Sequence, residues 1–115
     1  MAALLQKVRH LDGTRLPAED AFTMGTMGGA ALLGIDAGDI APGRAADLVA
    51  VDLAHPSMLP PTSLLKNVVY AMSPQAITDV WVHGSPVVKA QKLAIIDQEA
   101  LMARVRTLTH GWFPA

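Results

Sequence analysis

Residues 26–53, TMGGAALLGIDAGDIAPGRAADLVAVDL, contain the signals from which the fold can be derived. The apolar run Ala30–Leu33 is typical of the last turn of a helix. Gly34 follows this run, and a glycine can take the left-handed conformation that closes a helix because it has no Cβ. Gly38 lies within Asp36–Asp39, a group of residues that favours a turn. The stretch therefore predicts a helix that stops at Gly34 and is followed by a tight turn.

A second turn and a strand complete this stretch. Pro42 presets the φ angle of its own position and Gly43 supplies a positive φ at the next, which is the pattern of a type II turn. Leu48–Val51 is apolar on both faces of an extended chain, as in a strand that is covered on both sides. We therefore expect Val49 and Val51 to be core residues, each costing about 1–3 kcal/mol when replaced by alanine.

The composition limits the class of protein. The chain has 115 residues, of which 51% are hydrophobic and 17% charged, enough for one domain with its own core. It is too short for a (β/α)₈ barrel, which needs at least roughly 200 residues. The net charge of −1 includes no long charged run, so nothing indicates nucleic acid or an anionic membrane as a partner. The absence of cysteine excludes disulfides and thiolate metal sites.

Hydropathy gives two further expectations. No apolar run is long enough for a transmembrane helix, and the N-terminal one is too short for a signal peptide. We therefore expect a cytoplasmic protein. The mean hydropathy of +0.33 is high for a small soluble monomer, which indicates that another chain covers part of the apolar surface.

Two helices are expected before Gly34. In the first, from Ala2 to about Arg9, apolar residues recur at helical spacing. The second begins at Pro17, a residue well suited to the first helical position. Its glycines predict close approach of a packing partner. The apolar stripe of the first helix comprises Leu4, Leu5, Val8 and Leu11, and the buried face of the second comprises Ala21, Met24, Gly28 and Ala31 or Leu32.

The second half of the chain predicts a small sheet and one more helix. Residues 64–72 are compatible with either a helix or a strand. A hairpin is expected from strands 77–83 and 87–89, joined by a turn at Gly84, with a further strand at 93–96. Asp97 is positioned to cap a last helix that Gly111 stops, and the apolar residues Trp112–Pro114 follow.

Short motifs along the chain resemble a known family. They are Leu16–Ala21 (LPAEDA), Thr26–Gly34 (TMGGAALLG), Gly38–Val49 (GDIAPGRAADLV), Asn67–Ala71 (NVVYA) and Val80–Val88 (VWVHGSPVV). Together they resemble the C-terminal part of metal-dependent amidohydrolases. The nearest group is the chlorohydrolases and deaminases that include the S-adenosylhomocysteine/5-methylthioadenosine deaminases. The resemblance extends from about Leu4 to about Leu108, and it excludes the N-terminal part and most of the barrel of such enzymes.

The resemblance implies an α+β fold in one domain, residues 1–115. Residues 1–34 would be helices from the end of the barrel, 35–96 a mostly antiparallel sheet from the composite β-sandwich, and 97–115 a C-terminal helix and tail. The sandwich of such enzymes also takes strands from the start of the full-length chain. The residues expected to shape the fold are Gly34, Gly38, Pro42, Gly43, Asp47 and Gly84.

No catalytic, cofactor or metal residue is predicted. The resembled enzymes hold a divalent metal such as zinc with a His-Xaa-His pair, two later histidines and an aspartate, all upstream of the matching region. The four histidines here, His10, His55, His83 and His110, form no such pair. A zinc site needs three or four converging ligands, so these residues are expected to serve structural roles.

Other catalytic chemistries have no signature either. No serine lies in a nucleophile-elbow context such as GxSxG. Asp47 and Asp52 flank one strand, but odd and even positions face apart, so we expect Asp47 to fix the turn before the strand. Asp79 fits either a charge at a strand edge, which is the commoner role, or a hydrogen-bond anchor.

Two functional classes fit these observations, and a small binding module that reuses the scaffold, with no ligand named by the sequence, is a third. In the first class, the chain is a non-catalytic, oligomerising segment of an amidohydrolase. It is then expected to form a homodimer or higher oligomer with an apolar interface of more than roughly 1,000 Å². Alternatively, it is a subunit of a split metal-dependent hydrolase, active only with a barrel-containing partner that hydrolyses C–N bonds of purine-like or triazine-like substrates. Co-purification with a longer chain would favour the second function.

Overall fold

The computed structural model describes residues 2–112 and has the expected α+β fold. Five α-helices and four strands occur in these residues. The helices are α1 (Ala2–His10), α2 (Ala18–Thr23), α3 (Gly29–Leu33), α4 (Leu64–Tyr70) and α5 (Gln98–Thr109), and the strands are β1 (Leu48–Val51), β2 (Ile77–Val82), β3 (Ser85–Lys89) and β4 (Lys92–Leu93). The expected strand at 93–96 is shorter than predicted, because the chain leaves the sheet after Leu93. None of the described helices is long and apolar enough to span a bilayer.

The sheet is an antiparallel meander in the order β1-β2-β3-β4. Two tight turns connect β2, β3 and β4. His83 and Gly84 have φ angles of 47° and 75°, and Ala90 and Gln91 have φ angles of 48° and 63°. Two consecutive residues with positive φ match the right-handed twist of the flanking strands, as in type I′ hairpins. Gly84 lies in the β2–β3 turn as expected and takes its positive φ without strain.

The segment whose structure was open, residues 64–72, contains helix α4. Ser63 is the N-cap, and its hydroxyl accepts a hydrogen bond from the Lys66 amide at 3.5 Å. The Asn67 side chain donates hydrogen bonds to the carbonyls of Met58 and Pro60, at 2.8 and 3.0 Å. These bonds tie the helix to the loop after β1. N-capping and tertiary hydrogen bonds therefore stabilise a helix in a segment whose local propensity allows either a helix or a strand.

The predicted helix over residues 17–33 is interrupted. A π-helical turn, Met24–Gly28, separates α2 from α3. The expected buried face was wrong, because the buried residues of this segment are Ala18 and Ala30. Close approach of a packing partner is not the reason for Gly25, since a Cβ there would meet nothing within 4 Å, and the nearest neighbour of a Cβ on Gly28 would be the Thr23 carbonyl of the same segment at 3.3 Å. The wider π turn contains Gly25 and Gly28 instead.

Helix α1 presents its apolar side outward. Ala3 is buried at 4% exposure, and α1 contacts α2. The predicted stripe is in place, but Val8 and Leu11 are 71% and 92% exposed, and Leu4 and Leu5 are also exposed. The described residues therefore leave most of the apolar stripe of α1 exposed.

The strands show the same lack of cover. No side chain in the four strands is buried. The expectation that Val49 is a core residue was wrong, since Val49 is 57% exposed, and Val51 is only half-buried. The buried residues among those described are Ala3, Ala18, Ala30, Met58 and Ala76. Because this core is so small, β1 remains partly exposed to water although its apolar composition is typical of a strand covered on both faces.

The shape is correspondingly open. The radius of gyration is 18.4 Å, against about 13 Å for a compact domain of similar length. The accessible surface is 8930 Å² for a mass of 12.1 kDa, which exceeds the ~6,000 Å² of a compact monomer of this mass by about 2,900 Å². Trp112 is 69% exposed, and the rest of the expected apolar tail, residues 113–114, lies outside the described residues.

Gly34 closes α3 in the left-handed conformation, with φ 67° and ψ 28°. The predicted helix stop is confirmed. A Cβ here would meet no atom within 4 Å, so only backbone strain opposes substitution. We expect Gly34→Val to lower the free energy of unfolding by about 1–3 kcal/mol, measured by urea denaturation. Gly34→Asn should cost less, because asparagine tolerates this conformation; equal losses for both would show that strain at this position is not the cause.

Candidate functional site

The four histidines belong to four different segments of the secondary structure. His10 ends α1, His55 precedes a 3₁₀ turn (Pro56–Met58), His83 lies in the β2–β3 turn, and His110 follows α5. Among residues 2–112, no group of three or more histidine, aspartate or glutamate side chains could hold a metal ion. The described residues therefore do not fit the zinc site of the resembled enzymes.

His55, Ser57 and Ser73 form a connected polar cluster. The Ser57 amide donates to His55 Nδ1 at 3.2 Å, and Ser57 Oγ lies 2.8 Å from the same nitrogen. Ser57 Oγ in turn accepts a hydrogen bond from the Ser73 amide at 3.0 Å. Since Nδ1 accepts from a backbone amide, the proton of the neutral ring is on Nε2.

This cluster resembles a serine–histidine pair but serves as an anchor. The Ser57 amide, which would have to be free to bind an oxyanion, is used by His55. Ser57 Oγ is held by two partners, one of them the backbone of a segment 16 residues away. A catalytic pair needs free oxyanion donors aimed at a reacting carbonyl. The cluster instead joins the loop after β1 to the loop before β2, a role that sequence motifs did not indicate.

Asp47 anchors the β2–β3 hairpin. Its Oδ1 accepts a hydrogen bond from the His83 amide at 2.7 Å. The Gly84 amide donates to the Ala46 carbonyl at 2.9 Å beside it. The expectation that Asp47 fixes the turn before its own strand was therefore wrong: it holds a turn 36 residues later in the sequence. Long-range partners of this kind cannot be read from local spacing.

Asp79 is also an anchor rather than a simple edge charge. Its Oδ1 accepts a hydrogen bond from the Ala90 amide at 3.0 Å, which fixes the β3–β4 turn. This bond holds the pKa of the Asp79 carboxyl below its ordinary value. In the same way, the Thr14 hydroxyl lowers the pKa of Asp12, to which it donates at 2.6 Å. Asp12 also forms an ion pair with Arg15 at 3.3 Å, so both carboxylates hold loops in place.

The residues expected to shape the loop before β1 do so. Gly43 has φ 88°, and the Arg44 amide donates to the Ala41 carbonyl at 3.2 Å, as in the predicted type II turn with Pro42. Arg44 also forms ion pairs with Asp36 and with Asp39, the latter at 3.0 Å. Gly38 has φ 97° and touches the backbone of Met27. The loop before β1 therefore packs closely against the backbone of the π turn.

An open groove lies between α1, the following loop and α4. Lys7 Nζ donates to the carbonyls of Gly13 and Arg15, at 2.7 and 2.8 Å. It also lies 5.9 Å from the centre of the Tyr70 ring, within range of a cation–π interaction. The Lys7 ammonium group is therefore used to hold the loop after α1 through its two hydrogen bonds. The groove therefore has a structural cation but no catalytic pair.

The comparisons with known proteins agree with this architecture. Residues 1–87 match the model of the amidohydrolase family. The chain belongs to the amidohydrolase family. It is 48% identical over 88 residues to a 5-methylthioadenosine/S-adenosylhomocysteine deaminase of Archaeoglobus fulgidus, a match that covers 76% of this chain and 21% of the relative. It is 39% identical over 101 residues to a 5′-deoxyadenosine deaminase of Methanothermobacter thermautotrophicus, covering 88% of this chain and 24% of the relative.

Solved amidohydrolase structures share the fold. The zinc-bound adenosine deaminase of Xanthomonas campestris aligns with a TM-score of 0.86 and 36% identity, over 95% of this chain and 25% of that protein. The atrazine chlorohydrolase TrzN of Arthrobacter aurescens aligns with a TM-score of 0.75 at 24% identity, over 93% of this chain and 25% of that protein. This chain therefore spans about a quarter of the length of the amidohydrolases that it matches.

The two anchoring carboxylates of this amidohydrolase segment give a prediction for pH. The folded state lowers the pKa of Asp12 and Asp79 below 3.8. A carboxyl whose pKa is lower in the folded than in the unfolded state stabilises the fold at pH values above its unfolded pKa. This stabilisation is lost as the pH falls through the folded pKa. We expect urea denaturation to show a decline in stability as the pH falls below 3.8, and a shallower decline for Asp79→Asn. An unchanged slope in that variant would exclude the Ala90 bond as a contributor.

Proposed function

We propose that this chain is a non-catalytic structural segment of an amidohydrolase, and that it contributes to deamination of adenosine-type nucleosides only together with a barrel-containing polypeptide. The carrying observation is the exposed apolar stripe of α1, which includes Val8 at 71% exposure and is extended by Leu11 directly after the helix. The inward side of this helix already packs on α2. The stripe therefore needs cover that the described residues do not supply.

The similarity in shape supports a barrel-containing partner. The open arrangement, with its radius of gyration of 18.4 Å, is shared over 95% of the chain with the adenosine deaminase of X. campestris. An open shape that a larger enzyme also contains is best explained as the shape of a part within such a whole. The relatives named as deaminases of 5′-modified adenosines make these nucleosides the first substrates to test.

The metal would be held by the partner. Among the described residues, no cluster of metal-binding side chains occurs, and His55 Nδ1 is bonded to Ser57. We expect the purified chain to bind no stoichiometric zinc and to deaminate neither 5′-methylthioadenosine nor 5′-deoxyadenosine. Metal analysis and an absorbance assay check this. About one equivalent of zinc per chain, lost on a His→Ala substitution, would contradict the proposal.

Complementation tests whether the chain contributes to deamination together with a barrel-containing polypeptide. The A. fulgidus relative is produced without the 88 residues that this chain matches, and the two polypeptides are combined. We expect a complex in sedimentation experiments and deaminase activity in the mixture. Val8→Asp should lower the activity about tenfold, which corresponds to ~1.4 kcal/mol of docking energy at subsaturating concentration.

A matched control lies on the same helix. Gln6 is an exposed polar residue of α1, and Gln6→Asp adds the same charge as Val8→Asp. Its effect should be less than about twofold, because a polar position on the surface tolerates a charge. Equal losses for the two variants would exclude the apolar stripe as the docking site. A mixture that forms no complex would overturn the proposal.

A further inference from the structure

The open groove beside α1 continues the apolar stripe of that helix. Leu4 belongs to the stripe, is 49% exposed, and also lines the groove between α1, the loop after it and α4. Three further residues with apolar surface line the groove: Pro17 and Ala18 at the start of α2, and Tyr70 at the end of α4. The stripe and the groove therefore meet at Leu4 and form one surface.

The charges in the groove do not select a charged ligand. The Lys7 ammonium group already has two carbonyl partners, at 2.7 and 2.8 Å, and lies 5.9 Å from the centre of the Tyr70 ring. The other charged residues of the groove, Glu19 and Lys66, are exposed and have opposite signs. The apolar part of the groove therefore favours an apolar side chain as its occupant.

Hydrogen bonds hold the groove in shape. Asp12 accepts hydrogen bonds from the amide and the hydroxyl of Thr14, at 2.9 and 2.6 Å, and forms an ion pair with Arg15 at 3.3 Å. The loop between α1 and α2 is thus bonded to itself as well as to Lys7. A surface that already has its bound shape loses less conformational entropy when a partner binds. Tyr70, at 38% exposure, is of the residue type that often dominates the energy of protein interfaces.

We propose that the barrel-containing polypeptide inserts a large apolar side chain into this groove, beside Tyr70, while it covers the stripe of α1. The inference rests on the proposed function, from which it takes the partner. Leu4 and Val8 are one helical turn apart, about 6 Å along the axis, so one segment of the partner can contact the groove and the stripe together. The groove then acts as the anchor point of the docking surface.

Filling the groove from within the chain tests the proposal. Gly13 lines the groove, its φ is not in the left-handed region, and a Cβ there would meet no atom within 4 Å. Gly13→Phe should therefore keep the fold while its ring takes up space in the groove. In sedimentation experiments with the truncated A. fulgidus relative, we expect this variant to raise the dissociation constant of the complex at least about tenfold. Gly13→Ala adds only a methyl group and should stay within about twofold of the wild type.

Gly25→Phe is the control for adding a ring elsewhere. A Cβ on Gly25 would also meet no atom within 4 Å, but Gly25 belongs to the π turn and not to the lining of the groove. Its dissociation constant should stay within about twofold of the wild type. Equal losses for Gly13→Phe and Gly25→Phe would overturn the proposal. Circular dichroism identifies any variant that does not fold.

A measurement on the wild-type chain keeps the test decisive if Gly13→Phe unfolds. Tyr70 is the only tyrosine of the sequence, so its nitration by tetranitromethane can be followed by mass spectrometry. We expect nitration to be several-fold slower in the complex than in the free chain. An unchanged rate in a complex that Val8→Asp still weakens would overturn the groove as a docking site and leave the proposed function standing. Failure of the wild-type chain to form any complex would overturn both.

Discussion

Gly38→Ala is expected to destabilise the fold by about 2–5 kcal/mol, the sum of backbone strain and overpacking. Gly38 has a φ of 97°, a conformation that alanine rarely takes. A Cβ at this position would also lie 2.8 Å from both the Cα and the amide nitrogen of Met27. Both atoms belong to the backbone of the π turn, so no side-chain rotation can relieve the overlap. Chemical denaturation monitored by circular dichroism measures the loss.

Gly43 supplies the matched control for Gly38. Its φ of 88° is similar, but a Cβ at this position would meet no atom within 4 Å. Gly43→Ala should therefore cost only the strain, about 1–2 kcal/mol. Equal losses at the two positions would show that contact with the π turn contributes nothing. The difference between the two variants is the measured value of that contact.

Met58→Ala is expected to cost about 2–5 kcal/mol, as for other large apolar residues in a core. Met58 is fully buried, and no other described side chain of its size is. The backbone around it is held by the Asn67 side chain, which bonds to the Met58 carbonyl at 2.8 Å. The site can therefore collapse only in part around the cavity. The loss is measured by urea denaturation.

Met24→Ala is the control for this change, because the same side chain is 59% exposed there. Its cost should be less than about 0.5 kcal/mol. If Met58→Ala were as mild as Met24→Ala, the loop after β1 would be able to close around the missing side chain.

Local signals in the sequence predicted the parts of the fold that local chemistry determines. The left-handed Gly34, the turn at Pro42 and Gly43, and the cap at Asp97 all depend on residues within a few positions, and the structure confirms each of them. The α+β class follows from the order of such elements. The π turn after α2 was missed because a row of small residues has the same apolar pattern in an α-helix and in a π-helix.

Long-range contacts account for the errors. Asp47 bonds to a turn 36 residues away, and no spacing rule reports such a distance. Val49 was expected in the core because the pattern of β1 describes a covered strand, whereas cover depends on which other segments are present. The His55–Ser57–Ser73 cluster joins loops 16 residues apart and carries no motif.

Helix α5 has an unusual consequence for the dynamics of the chain. It has 12 residues, and none of them is buried. A helix of this length is marginal in water unless tertiary packing supports it. Its backbone amides should therefore exchange with solvent at nearly the rate of an unfolded peptide, while those of β2 stay protected. Covering Leu101 and Met102 would slow that exchange, which makes the amide protection of α5 a direct signal of assembly.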